Sequence, residues 1–430
     1  MNINSLKQFS YMLNKQIFDH GIIEREYDAT RLSYMNKDKI PVFRLKGNED
    51  ISLYANLLTG RRDIVSLLGV KNLEEAYSAL EKAQSSPGQL EAVSFSDYFT
   101  EADLDLSRLP FIKFYREDGG YYLTSSIYII CLDSMCNSSY HRTMYLSRDK
   151  AVLRIVPRHL NYIVSRYFER NRDAPVAVVL GVDPLHEIAS ATSPRLGVFE
   201  LNVGAKLGGE HRVAKTPNYN IPVPISASVV IEGVISQNER AVEGPFTDML
   251  MLVDKAREQP VFTAERIYVP KINNSPLVVH SIVPGLWEHQ LLMGFPREAK
   301  IFVELKRVVP CIKEVRLTEG GFTWLHAAVS VGRDCTEGDA KLAGIATISA
   351  HPSVKHVVVV DDDINLEDPI AIEWAIATRS RGSEDIVVLR DFRGSSLDPR
   401  GSDGTGDKVI VLALRPRGDP LEKYKRVEIP

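Results

Sequence analysis

Cysteine is scarce: Cys131, Cys136, Cys311 and Cys335 are the four in a chain of 430 residues, and no two of them form a C-x-x-C pair. That argues against thiolate-bound structural zinc, and four thiols in so long a chain are not a disulfide framework. The expected setting is a reducing, cytoplasmic compartment. No apolar run approaches the roughly twenty residues that span a bilayer. Met1 to His20 carries Lys7, Lys15 and Asp19 and has no apolar core of signal-peptide length. A soluble protein with no membrane partner is expected. An excess of one charge is missing too, since 52 Lys plus Arg stand against 56 Asp plus Glu, a net charge of -4. This excludes a general nucleic-acid binder and favours a small-molecule substrate. There is no internal repeat, and no G-x-G-x-x-G follows a strand-like run, which speaks against a conventional dinucleotide-using reductase.

What is present is length enough for two or three cores at about 100–200 residues each. In residues 1–105, Leu6, Phe9, Leu13 and Ile17 recur at helical spacing, as do Leu73, Ala76, Leu80 and Ala83 after the cap residue Asn72. With the strand-like Val42 to Leu45 between them, an N-terminal α/β domain is expected. Residues 106–299 are β-rich and broken by Gly and Pro, with strands expected over Tyr121 to Leu132, Ala151 to Val156, Val176 to Val182, Val223 to Ile235, Pro260 to Val269 and Leu277 to Ile282. Turn signals at that density predict a barrel or a sandwich. Residues 300–430 alternate strand and helix, as in Val354 to Val360 followed by Pro369 to Thr378, and predict a third, α/β domain. Gly394 to Asp407, rich in Gly, Ser and Asp, is expected as a mobile surface loop or lid, or as a plain linker.

Four strings carry side chains suited to chemistry. Glu243-Gly-Pro-Phe-Thr-Asp248 holds two carboxylates on a short turn stiffened by Pro245, a pair able to pass protons. Asn137-Ser-Ser-Tyr-His-Arg142 offers an amide, an imidazole and a guanidinium, and Arg is the residue best shaped to clamp a carboxylate. Arg154-Ile-Val-Pro-Arg-His159 alternates cations with apolar residues, which on a strand would set Arg154, Val156 and Arg158 on one face. Phe199-Glu200-Leu-Asn-Val-Gly204 places a carboxylate among apolar neighbours. Amide oxygen, imidazole and carboxylate together suit a hard or borderline cation such as Mn²⁺ or Mg²⁺. Taken singly, each string also fits a solvated turn or a structural histidine.

In order and spacing these segments resemble the UbiD family of prenylated-flavin-dependent decarboxylases. Further matches are Leu109-Pro110 before Gly119 to Thr124, Val223-Pro224 before Val230 to Gly233, Val283-Pro284-Gly285 before Glu288, and Lys355 ahead of Val360-Asp-Asp-Asp363. The resemblance implies a central split β-barrel of flavin-reductase type between two α/β domains. It implies prenylated FMN as cofactor, contacted by Thr124, Tyr140, His141, Arg142, Arg154, Ile155, Val156, His159, Leu160 and Lys355. Asn137, His159 and Glu200 match the metal ligands, for Mn²⁺ or Mg²⁺ with K⁺ as a further ion. Arg142, Glu243 and Asp248 match the catalytic set: Arg142 holding the substrate carboxylate, Glu243 orienting it, and Asp248 returning a proton, its carboxyl raised by burial beside Glu243.

Thr247 stands where the family usually has Gly, and His141 where an aromatic residue is common. The substrate class implied is an α,β-unsaturated or aromatic acid, with a flavin prenyltransferase supplying the cofactor and a homo-oligomer as the working form. In length the chain resembles the compact archaeal members, which take CO₂ from trans-anhydromevalonate 5-phosphate to give isopentenyl phosphate in a modified mevalonate pathway. Arg154, Arg158 or Arg297 would then meet the substrate phosphate. The alternatives are a decarboxylase of 4-hydroxybenzoate-type acids and a non-catalytic flavin-binding or assembly protein.

Overall fold

Two long strands, Val229–Glu243 and Arg257–Pro270, pair antiparallel at the middle of a nine-stranded sheet in the computed structural model. On the side of Val229–Glu243 the sheet continues through Ala174–Leu180, Ile127–Leu132 and Met135–Tyr140. On the side of Arg257–Pro270 it continues through Lys150–Leu153, Thr143–Tyr145 and Tyr122–Leu123, with Phe99–Ala102 also pairing to Arg257–Pro270. Side chains along a strand alternate between faces, so Val176, Val178 and Leu180 enter one apolar core while Ala177 and Val179 enter another. Both faces are thus covered, which is why these strands read as nearly continuous apolar runs.

The structure describes residues 1–271, 276–402 and 404–427. They form two units, Met1–Leu292 and Met293–Pro430. The first unit also holds a four-stranded mixed sheet in which Ile17–Ile23, Ile40–Leu45 and Asn48–Tyr54 are joined by Leu277–His280, parallel to Asn48–Tyr54. Helix Leu73–Ser85 starts as expected, with the Asn72 side chain accepting from the Glu75 N–H at 2.9 Å. The second unit is a five-stranded sheet in the order Ile312–Leu317, His326–Val331, His356–Asp361, Thr405–Ala413, Ile386–Arg393. Helices Glu337–Ala350 and Pro369–Arg379 lie against it. The acidic run after His356–Asp361 serves structure there, because Arg379 and Arg415 pair with Asp361 and Asp363.

Several expectations are corrected. Ile17 opens a strand rather than extending the first helix, which spans Ile3–Met12. The strand expected through Val156 ends at Leu153, and His159 opens a helix, so Arg154, Val156 and Arg158 share no strand face. Pro157, which cannot donate to a ladder, falls in this break. The four cysteines are not free thiols. Cys131 and Cys136 are direct partners across a hairpin with Cα atoms 4.1 Å apart, Cys311 and Cys335 lie 5.6 Å apart, and both pairs are disulfide-bonded. A count of cysteines carries no pairing, so the inference from scarcity to a reducing compartment loses its basis. The Gly394 to Asp407 segment is tied back through Gly394 N–H to the Gly404 carbonyl and Trp324 Nε1 to Ser395 Oγ, with Asp403 outside the described residues. Among the described residues no helix is long and apolar enough to cross a membrane.

Candidate active site

Glu243 ends the long strand Val229–Glu243, directly opposite Arg257 on the neighbouring strand. Gly244 follows at φ +94°, a conformation open to glycine, and the Gly244–Pro245 peptide is cis. The chain then enters Phe246–Thr247, which pairs with Val253–Asp254 and so sets Asp254 across from Phe246. Arg142 arrives between Met135–Tyr140 and Thr143–Tyr145. Arg142 thus meets one distant stretch of chain, from which Glu243, Phe246 and Asp254 all reach its guanidinium.

The geometry is that of a clamp. Arg142 Nε donates to Glu243 Oε1 at 2.8 Å and Nη2 to Glu243 Oε2 at 2.9 Å, a bidentate pair around a carboxylate that is 0 % exposed. The guanidinium lies over the Phe246 ring, 4.5 Å from its centroid. Nη2 also donates to Asp254 Oδ2 at 2.8 Å, and Asp254 in turn accepts from both Nη atoms of Arg257. Burial works against the charge on Arg142, but its bonds to Glu243 and Asp254 outweigh burial and keep it protonated. Nη1 takes part in none of these bonds.

Asp248 is 8 % exposed and stands apart from this network. Its Oδ1 accepts the backbone N–H groups of Leu250 at 2.8 Å and Leu252 at 3.1 Å. Burial raises its carboxyl above the ordinary value; those two amides and Arg142 pull the other way, while Asp254 adds to the rise. The expectation that Glu243 supplies the neighbouring negative charge is therefore corrected. Glu243 is occupied by Arg142, and the acid that acts on Asp248 is Asp254.

The expected metal residues also meet. Asn137 Nδ2 donates to Glu200 Oε1 at 2.8 Å, the Ser138 N–H donates to Glu200 Oε2 at 2.7 Å, and His159 Nδ1 lies 3.9 Å from Glu200 Oε1. Helices His159–Glu169 and Glu200–Lys206 begin at two of these residues and pack on the strand that carries Asn137. Neither helix start has a side-chain cap. Among the described residues no cluster of three His, Cys, Asp or Glu side chains has metal-binding geometry. The Asn137 amide completes this set, and an amide, an imidazole and a carboxylate fit a hard or borderline cation. The uncapped amides of the eleven-residue helix at His159 suit a phosphate.

Of the other expected cofactor contacts, His141 is buried, its Nδ1 bonded to the Arg154 carbonyl at 2.9 Å, and burial lowers its pKa to about 4. Leu160 is buried and Tyr140 half-buried, its hydroxyl enclosed with no hydrogen-bond partner among the described residues. Ile155 is fixed by its N–H to Gln259 Oε1 at 2.9 Å, Thr124 and Val156 are half-buried, and Arg154 Nη1 bonds the Ile155 carbonyl. Lys355 belongs to the second unit and bonds Asp398 at 3.0 Å.

Sequence reasoning passed over Asp254, Arg257 and His289. Asp254-x-x-Arg257 is visible once Phe246–Thr247 is seen to need a partner strand. His289 Nδ1 accepts the Gly285 N–H at 3.1 Å, which puts its proton on Nε2, and burial with the charge of Arg142 holds its pKa to about 4.

The chain is similar to known proteins over most of its length. Residues 88–286 match the 3-octaprenyl-4-hydroxybenzoate carboxy-lyase Rift-related domain, and residues 290–413 match the C-terminal domain of the same enzyme group. The anhydromevalonate phosphate decarboxylase of Aeropyrum pernix is 39% identical over 99% of this chain and 96% of its own. That of Methanothermobacter thermautotrophicus is 38% identical over 94% of this chain and 95% of its own. The UbiD-class enzyme HmfF from Pelotomaculum thermopropionicum, solved in complex with FMN, superposes with a TM-score of 0.93 at 30% identity, covering 100% of this chain and 98% of that one. The mixed α/β multidomain fold is that of the UbiD class, and the chain belongs to the UbiD family.

Proposed function

We propose that this protein is a prenylated-FMN-dependent decarboxylase that converts trans-anhydromevalonate 5-phosphate to isopentenyl phosphate and CO₂ in a modified mevalonate pathway. The observation that carries the reading is the buried Arg142–Glu243 clamp with a protonatable Asp248 beside it, in a chain aligned end to end with anhydromevalonate phosphate decarboxylases. The nine-stranded sheet is read as a split β-barrel of flavin-reductase type, with residues 1–105 and 300–430 as the flanking α/β domains. A flavin prenyltransferase would supply the cofactor, and a cytoplasmic homo-oligomer is the working form.

Asn137, His159 and Glu200 would hold Mn²⁺ or Mg²⁺, which with K⁺ as a further ion would help to retain the flavin. When bound, the cofactor supplies the electron sink that carbon–carbon cleavage requires. The chain supplies the rest. Arg142 Nη1 takes the substrate carboxylate, Glu243 fixes the guanidinium and balances its charge, and Asp248 Oδ2 gives a proton to the carbon that loses CO₂. Arg154, whose charge is opposed by burial and by Arg257 and Arg142, leaves a cationic margin beside the clamp for a second anion.

Protein reconstituted with prenylated FMN is expected to release CO₂ from trans-anhydromevalonate 5-phosphate, and from 4-hydroxybenzoate ~100-fold more slowly or not at all. The reverse preference would assign it to aromatic acids. Flavin and metal binding without decarboxylation of either would make it a flavin-binding or assembly protein. Glu200→Gln is expected to weaken metal binding by ~100-fold or more, since loss of a ligand costs at least as much as loss of its support. Elemental analysis and flavin absorbance of the purified protein would show both losses together. Full retention would move the metal elsewhere.

A further inference from the structure

The string Asp254-x-x-Arg257 has no place among the residues assigned so far, yet it makes the closest contacts to the clamp after Glu243. Asp254 Oδ2 accepts from Arg142 Nη2 at 2.8 Å and from Arg257 Nη1 at 2.7 Å, while Oδ1 takes Arg257 Nη2. The hairpin register fixes it there, opposite the Phe246 on which the guanidinium rests. Asp248, five positions along the turn from Glu243, meets no cation: its Oδ1 is filled by two backbone amides and its Oδ2 has no partner.

We propose that Asp254 is a positioning residue that divides the labour of the acidic turn: with Glu243 it locks Arg142 so that only Nη1 faces substrate, and it keeps Asp248 outside the ion-pair network as the group that carries the proton. The proposal rests on the decarboxylase reading for its consequence in turnover, but not for its electrostatics. With two guanidiniums on it, Asp254 is ionised throughout the working range, Arg257 and Arg142 overcoming burial to hold its pKa to about 2. Its fixed negative charge lies close enough to raise the Asp248 carboxyl.

The other groups around Asp248 do not replace that charge. Arg142 opposes it. Asp118 is reached only through the Thr247 amide, which donates to its Oδ1 at 2.8 Å, and burial raises its own carboxyl. Tyr115 and Tyr122 are pushed up by burial and stay neutral, their hydroxyls donating to the Pro284 and Pro245 carbonyls. His289 is neutral, and Glu243 is spent on Arg142. Replacing Asp254 by Asn removes a negative charge and leaves Arg142 less compensated. Both changes favour the ionised form of Asp248, and its pKa falls.

The test uses the full chain, with and without flavin, carrying ¹³C at the aspartate carboxyl carbons, the Asp248 signal being assigned by its loss in Asp248→Asn. Asp254→Asn is expected to move the Asp248 titration to lower pH, and Asp254→Glu to restore most of it. In the reconstituted enzyme the same Asn variant moves the alkaline limb of kcat to lower pH. It also reduces kcat by about 10–100-fold as the guanidinium loses its second anchor. An Asp248 titration that stays in place in Asp254→Asn overturns the proposal, whatever happens to activity. A titration that moves in a protein failing to decarboxylate trans-anhydromevalonate 5-phosphate leaves the proposal standing and removes the substrate reading instead.

Discussion

Asp248→Asn is expected to lower turnover by roughly 10²–10⁴-fold, the contribution of a positioned proton donor, while any bound flavin and metal stay at the level of the unaltered protein. The substitution is nearly isosteric. The Asn oxygen continues to accept the Leu250 and Leu252 amides that hold the present carboxylate, so the loop need not move. Only the transferable proton at Oδ2 is lost. Arg142 keeps its bonds to Glu243 and Asp254, so substrate affinity changes little and the loss falls on kcat. CO₂ release measured beside the flavin absorbance of the same sample separates chemistry from cofactor loss. Turnover at the original rate would take Asp248 out of the mechanism.

His280→Ala destabilises the first unit by about 3–5 kcal/mol, the cost of breaking a buried ion pair by removing one partner. His280 is 1 % exposed and stacks on Tyr54 at 4.6 Å between ring centroids. Its Nδ1 is 2.8 Å from Glu187 Oε2 and its Nε2 is 2.8 Å from Glu288 Oε2. Glu288 is also tied to the Asn56 and Leu58 amides. Without the imidazolium, two buried carboxylates lose the cation they share. Burial lowers the His280 pKa, but Glu187 and Glu288 outweigh it and raise the value to about 10. Because the folded value lies above the ordinary 6.5, this stabilisation is complete below pH 6.5 and disappears as pH rises through about 10. Denaturant unfolding at pH 7 and at pH 10 should differ in the unaltered protein, and this alkaline loss should be reduced in His280→Ala. An unchanged alkaline loss in the variant would assign it to other groups.

The parts of this molecule that were legible in the sequence are those set by local pattern. Asn72 and the apolar spacing after it fix a helix start, and continuous apolar runs such as Val176 to Val182 mark strands buried on both faces. Asn137, His159 and Glu200 lie far apart in the chain, and the resemblance to known decarboxylases grouped them where spacing had no means to do so. What stayed hidden depends on register. Asp254 reaches Arg142 because Thr247 pairs with Val253, Cys131 meets Cys136 because a hairpin turns between them, and His280 meets Glu187 across packed elements. Periodicity reports which face a residue takes. It does not report which partner waits there.

The parallel pairing of Leu277–His280 with Asn48–Tyr54 sets a schedule for synthesis. A ribosome delivers the first three strands of that sheet early, and they must wait with an open edge until residues near 280 emerge. Contacts so distant along the chain are slow to form, and an unpaired edge is exposed to other chains meanwhile. A fragment ending before Leu277 has no fourth strand and lacks the imidazolium that Glu187 requires. Division of this protein into expressible pieces therefore fails at its N-terminal segment, which is completed only by residues from beyond the long central strands.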